Sequence, residues 1–132
     1  MTKPDAVARP TNAELAILRV LWQHGPSTVR AVHTALREGG AEPVGYTTVL
    51  KLLQIMTEKG LVTRDVSART HVYAAAASEA TTRGRLVSDL IDRAFGGSSL
   101  ALVLQALSTT PASPAELAQI RQLLDELKGD TR

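Results

Sequence analysis

The sequence predicts a mainly α-helical protein: three helices closed by a β-hairpin, then three further helices. Three observations carry this. Apolar residues make up 44% of the 132 residues but aromatics only 3%, so the core must be built from Leu, Val, Ile and Ala, which favours packed helices over a β-sandwich. Apolar side chains recur at three- and four-residue spacing in successive segments, most of them opened by a Ser or Thr. A single β-branched, roughly alternating stretch, LVTRDVSARTHVYA, interrupts the series.

Met1 to Pro10 is read as a loose arm. Thr11-Asn-Ala-Glu14 follows as a capping box, a hydroxyl at the cap and a carboxylate three residues on. The helix it opens runs to about His24, with Leu15, Leu18, Leu21 and Trp22 as its buried stripe, and Gly25-Pro26 ends it. Ser27 stands where the cap of a second helix belongs, and Val29, Val32 and Leu36 line one face of that helix. Gly39-Gly40 breaks the chain, and Ala41 to Gly45 is a short connection. In the third helix, YTTVLKLLQIMTEKG, Val49, Leu52, Leu53 and Met56 fall together on the wheel, with Thr47, Lys51, Gln54 and Glu58 opposite. Gly60 occupies the helix C-terminal glycine position. Two strands near 61–66 and 70–75 then make a hairpin around Ser67-Ala-Arg69. A lone hairpin is not stable, so it must pack on the helices. Helix, helix, helix and hairpin in this order make a winged helix-turn-helix over residues 1–76.

Residues 77–132 predict a second domain. Ser78 caps a helix running to about Phe95, Gly96-Gly97 ends it, and Ser98 or Ser99 opens a short apolar helix. Pro111 marks a linker, and Ser113-Pro114 starts a last helix with a capping hydroxyl and a proline in its first turn. Three such amphipathic helices make a poor independent core, and a second copy covering their apolar faces would complete it. The expected dimer-forming residues are Leu86, Leu90, Phe95, Leu100, Val103, Leu104, Leu107, Ile120, Leu123, Leu124 and Leu127, in a homodimer of twofold symmetry.

Charge points to the partner of the first domain. The net charge is only +2, but residues 1–76 hold nine Lys/Arg against six Asp/Glu, while 77–132 hold six against seven. A helix entering the major groove does so N-terminus first, which makes Tyr46, Thr47, Thr48, Leu50 and Lys51 the candidate readers, with Gln54 behind them. Hydroxyls bond base edges or phosphates, methyl groups meet thymine methyls, and Lys51 reaches guanine or a phosphate. Competing structural roles exist for several: capping for Thr47, half-buried packing for Tyr46, and core for Leu50. Arg64, Arg69 and His71 fall on the wing and Arg30 on the second helix, where each suits a backbone phosphate or a solvated surface. Lys3 and Arg9 on the arm either sweep a neighbouring groove or, as the arm's looseness favours, stay disordered without contact.

Other classes find no support. The absence of cysteine removes disulfides, thiolate metal sites and cysteine nucleophiles. The three histidines, 24, 33 and 71, have no metal-ligand spacing, so no metal or cofactor is expected. No nucleophile–base–orienter set is visible, and an enzyme is not expected. The longest strongly apolar run, Leu100 to Leu104, is too short for a bilayer, and the N-terminus has no signal-like apolar region, so a cytoplasmic protein without membrane insertion is expected. A winged-helix protein-interaction module without specific DNA binding is the alternative reading.

The segments PTNAELAILRVLWQHGPSTVRAVHTALRE, YTTVLKLLQIMTEKGLVTRD, RTHVYAA and LIDRAFGGS, in this order, resemble the penicillinase-repressor family of bacterial transcription regulators, the BlaI, MecI and CopY type. The resemblance runs from about Pro10 to Leu127. It implies a dimeric repressor with an N-terminal winged helix, a C-terminal dimerisation domain and a double-stranded palindromic operator as partner. It also implies an inactivating protease in the members that govern antibiotic resistance. Two departures stand out: the cysteine motif of copper-responsive members is absent, and Gln105-Ala106 falls where β-lactam-responsive members carry their Asn-Phe cleavage dipeptide.

Overall fold

The computed structural model describes residues 9–40 and 44–130. The arm's Lys3 and most of the connection before the third helix lie outside the described residues. The element order is α1 (Asn12–His24), β1 (Ser27–Thr28), α2 (Val29–Glu38), α3 (Tyr46–Lys59), β2 (Val62–Asp65), β3 (Val72–Ala75), α4 (Glu79–Ala94), α5 (Ser99–Thr109) and α6 (Pro114–Asp130). The protein is mainly helical, a winged helix-turn-helix followed by three helices. The chain separates into two compact units, one ending at Leu86 and the other beginning at Val87.

In the first unit, α1 opens on the expected capping box: Thr11 Oγ1 accepts from the Glu14 N–H, and Glu14 Oε1 accepts from the Thr11 N–H. Ile17, Leu18 and Leu21 of α1, Val29, Val32 and Leu36 of α2, and Val49, Leu53 and Met56 of α3 form one core with Leu61, Val62 and Tyr73. Leu15, Trp22 and Leu52 pack on it half-buried. The Trp22 indole N–H donates to the Ala77 carbonyl at 3.0 Å and so ties α1 to the segment after β3. At the end of α3 the glycine is required: Gly60 sits at φ 81°, and the Leu61 N–H donates to the Met56 carbonyl while the Gly60 N–H donates to Thr57.

Two local expectations need correction. The cap of α2 is Thr28, whose hydroxyl accepts from the Ala31 N–H, and not Ser27. Ser27 and Thr28 instead form β1, a third strand, in the antiparallel order β1-β3-β2. β1 satisfies the otherwise open edge of β3, pairing Ser27 with Tyr73 and Thr28 with Val72. Two residues are too few to leave a periodic signal. The hairpin strands are also shorter than expected: Asp65 pairs with Val72, so the wing turn spans 66–71. Asp65 Oδ1 accepts from the Ser67 N–H at 2.8 Å, a side-chain turn that ends the strand early.

In the second unit, Ser98 caps α5, and Ser113 with Glu116 forms a full reciprocal capping box on α6. None of its described residues is buried, and its leucines stand open: Leu100 is 66% exposed, Leu104 and Leu124 58% each.

Candidate nucleic-acid interface

The helix-turn-helix is α2 and α3, held by the shared core of Val32, Val49 and Leu53. Burying Val49, Leu53 and Met56 on one side leaves the opposite face of α3 outside. Thr47, Thr48, Lys51 and Gln54 are all exposed, and Leu50 is half-buried against the core. Leu50 thus offers only its outer edge. Tyr46 is 44% exposed and engaged on its inner side. Its ring meets His33 edge-on, with centroids 6.0 Å apart, and carries the Arg30 guanidinium 5.9 Å from its centroid.

The N-terminus of α3 differs from the others. Thr11, Thr28, Ser78, Ser98 and Ser113 each accept a backbone N–H at the start of α1, α2, α4, α5 and α6. At α3 the cap residue is Gly45, which has no side chain to do so. The capping role weighed for Thr47 is therefore not the one it plays. The first turn of α3 has no side-chain cap, carries the exposed Thr47 and Thr48, and contains no acidic residue. Free N–H groups and the helix dipole there favour an anion.

The wing supplies the facing side. Arg69, Thr70 and His71 in its turn, Thr28 of β1, and Arg30, Tyr46 and Leu50 on the helices line one groove of about 570 Å³. Arg69 and His71 are exposed. Arg64 pairs with Tyr73 across the β2–β3 ladder and so shares its face of the sheet, yet it is exposed because the core ends before it. Lys51, Gln54 and Arg64 lie outside that groove. The structure thus brings Arg30, Tyr46, Leu50, Arg69 and His71 to one concavity, and sets Thr47, Thr48, Lys51 and Gln54 along the helix beside it. Arg9, at the start of the described chain, is exposed.

The sequence reading passed over two residues that shape this site. His33, considered only as a metal ligand, has Nε2 2.8 Å from the Val44 carbonyl. Its position three residues after Arg30, on the same face of α2, was the available signal. Glu14, recognised as half of a capping box, also pairs with Lys59 at the far end of α3. Among the described residues no group of His, Asp and Glu is arranged to hold a metal. No single helix there is long and apolar enough to cross a membrane.

Residues 10–126 match the family described as Penicillinase repressor. The "Transcriptional regulator BlaI" of Mycobacterium tuberculosis (strain CDC 1551 / Oshkosh) is 31% identical over 124 residues, covering 92% of this chain and 87% of that protein. The regulator of the same name from strain ATCC 25618 / H37Rv matches to the same extent. Among solved structures, the solution structure of the Bacillus licheniformis BlaI monomeric form in complex with the blaP half-operator aligns with a TM-score of 0.48 and 22% identity, over 56% of this chain and 88% of that one. A match across nearly the whole length, together with relatives of that identity and coverage, establishes that the chain belongs to the penicillinase repressor family of transcriptional regulators.

Proposed function

We propose that this chain is a homodimeric repressor that binds palindromic DNA operators, placing α3 of each protomer in the major groove. The observation that carries the reading is the first turn of α3: uncapped by any side chain, free of acidic residues, bearing exposed Thr47 and Thr48, and flanked by Arg30. Thr47, Thr48, Lys51 and Gln54 face the base edges, with Tyr46 and the edge of Leu50 beside them. Arg30, Arg64, Arg69 and His71 serve the phosphates.

The dimer is the second half of the proposal. A unit with no buried residue among those described and with leucines more than half exposed gains most of its stability from a second copy. Leu90, Phe95, Leu102, Leu107, Ile120 and Leu123 line an open apolar groove in that unit. Leu100, Val103, Leu104, Leu124 and Leu127 of the same unit are exposed as well and add apolar surface for the partner to cover. Leu86 is half-buried in the first unit and contributes least. In this reading residues 1–76 bind DNA and the chain from 77 onward dimerises, with α4 as the connecting helix. Relief of repression by cleavage of the C-terminal region fits the exposure of Gln105 and Ala106 on α5.

The test is a mobility-shift and footprinting experiment with the full chain on the DNA flanking its own gene. A symmetric footprint is expected, with half-sites about 34 Å or a multiple apart and affinity falling steeply with salt. Binding without sequence preference, or none at low salt, would overturn the proposal in favour of a protein-interaction module.

A further inference from the structure

We propose that His33 is a positioning residue for operator binding: through Val44 and Tyr46 it fixes the uncapped start of α3 and, with it, the guanidinium of Arg30. The inference rests on the DNA-reading role of α3 proposed above and adds a residue that touches no DNA.

The argument begins with Gly45. It is the cap residue of α3 and, among the described residues, the helix cap that offers no side chain to the backbone. Glycine is also the residue with the most backbone freedom. A helix that must present free N–H groups to an anion cannot fill them with its own cap, so its first turn has to be held some other way. His33 does this from both sides of Gly45. Before the glycine, its Nε2 lies 2.8 Å from the Val44 carbonyl. A carbonyl only accepts, so Nε2 carries the hydrogen and donates it. After the glycine, the imidazole meets the Tyr46 ring at an interplanar angle of 79°, the edge-to-face arrangement that aromatic quadrupoles favour.

Tyr46 passes the constraint on. Its ring lies 5.9 Å from the Arg30 guanidinium carbon, within range of a cation–π contact. Arg30 and His33 are three residues apart on α2, which puts both on the face that looks at Tyr46. Arg30 therefore arrives at the groove with its guanidinium already oriented, and less conformational freedom is lost when it meets a phosphate. His33 is half-buried beneath this stack, whereas Arg30 is exposed.

The test uses the full-length chain and a duplex that it selects from a random-sequence library. Failure to select any duplex would sink the DNA-reading proposal itself, and the test of His33 proceeds only on a selected duplex. On that duplex His33→Ala is expected to bind about tenfold more weakly, with the slope of log affinity against log salt unchanged, because no phosphate contact is lost. Arg30→Ala weakens binding and lowers that slope by about one. The losses from His33→Ala and Arg30→Ala are not additive, because the two residues act through one ring. His33→Gln, whose amide N–H replaces the donor to the Val44 carbonyl but not the ring against Tyr46, recovers part of the affinity. Wild-type affinity in His33→Ala, or full additivity with Arg30→Ala, overturns the inference. Should His33→Ala fail to fold, His33→Gln carries the test through its coupling to Arg30→Ala: non-additive losses support the inference, and additive losses or no loss overturn it.

Discussion

Lys59, the last residue of α3, donates to both carboxylate oxygens of Glu14, at 2.8 and 3.0 Å, across 45 residues of sequence. Glu14 is 2% exposed, and its Oε1 also accepts from the Thr11 N–H. One carboxylate thus caps α1 and anchors the C-terminus of α3. Gly60 turns the chain immediately afterwards, so the anchor fixes both the end of α3 and the entry to the wing.

Removing the lysine should be costly. Lys59→Ala leaves a buried carboxylate with Thr11 but no cation beside it. The lysine is 28% exposed, which discounts the penalty for a fully buried pair. A loss of about 1–3 kcal/mol in unfolding free energy is expected, read from the urea midpoint. An unchanged midpoint would show that the pair contributes nothing.

The same pair predicts an acid response. Burial works against the Glu14 charge, but the Lys59 ammonium and the Thr11 N–H outweigh it and hold the carboxyl below its ordinary value of 4.5. A folded value below the unfolded one means the contribution is fully present above about pH 4.5 and is lost as pH falls through the lower folded value. Glu14→Gln should flatten that part of the stability–pH curve. A wild-type slope in the variant would assign the acid response to other groups.

Gly60→Ala separates strain from crowding. Nothing lies within 4 Å of the position a Cβ would take, so the cost is that of a non-glycine residue at φ 81°. We expect about 1–2 kcal/mol of destabilisation in thermal or urea unfolding. A neutral substitution would mean the αL turn is not held in solution.

Polar replacement of two open leucines, one on α5 and one on α6, tests the assembly. Leu104 and Leu124 are each 58% exposed in the single chain, so Leu104→Asp with Leu124→Asp should cost the protomer little. Sedimentation should show loss of the dimer at micromolar concentration, while the helical signal of the first unit persists. A dimer that survives both changes would place the interface elsewhere.

For the reading face, Lys51→Ala should weaken operator binding by about 1–3 kcal/mol if the contact is to a base. Arg69→Ala should weaken binding across all sequences and lower the salt slope by about one. Titrations at several salt concentrations separate the two effects. If both variants bind as tightly as the wild type, the interface lies on another surface.

What the sequence by itself determined is local. Thr11 and Glu14 mark the start of α1, Gly60 the end of α3, and Ser113 the start of α6, because caps and turns act within three or four residues. The wheel of α3 separates Val49, Leu53 and Met56 from Thr47, Lys51 and Gln54, because one helical period fixes both faces at once. Tertiary structure alone decided what reaches across the chain. β1 exists because β3 needs a partner on its outer edge, and two residues carry no periodicity. Lys59 meets Glu14, and Trp22 meets Ala77, over 45 and 55 residues. Arg30, His33 and Tyr46 stack because α2 and α3 cross over a common core, and no spacing in the sequence encodes that crossing. Short-range hydrogen bonding writes its pattern into neighbouring residues. Packing between distant elements depends on the summed shape of the core and leaves no such local mark.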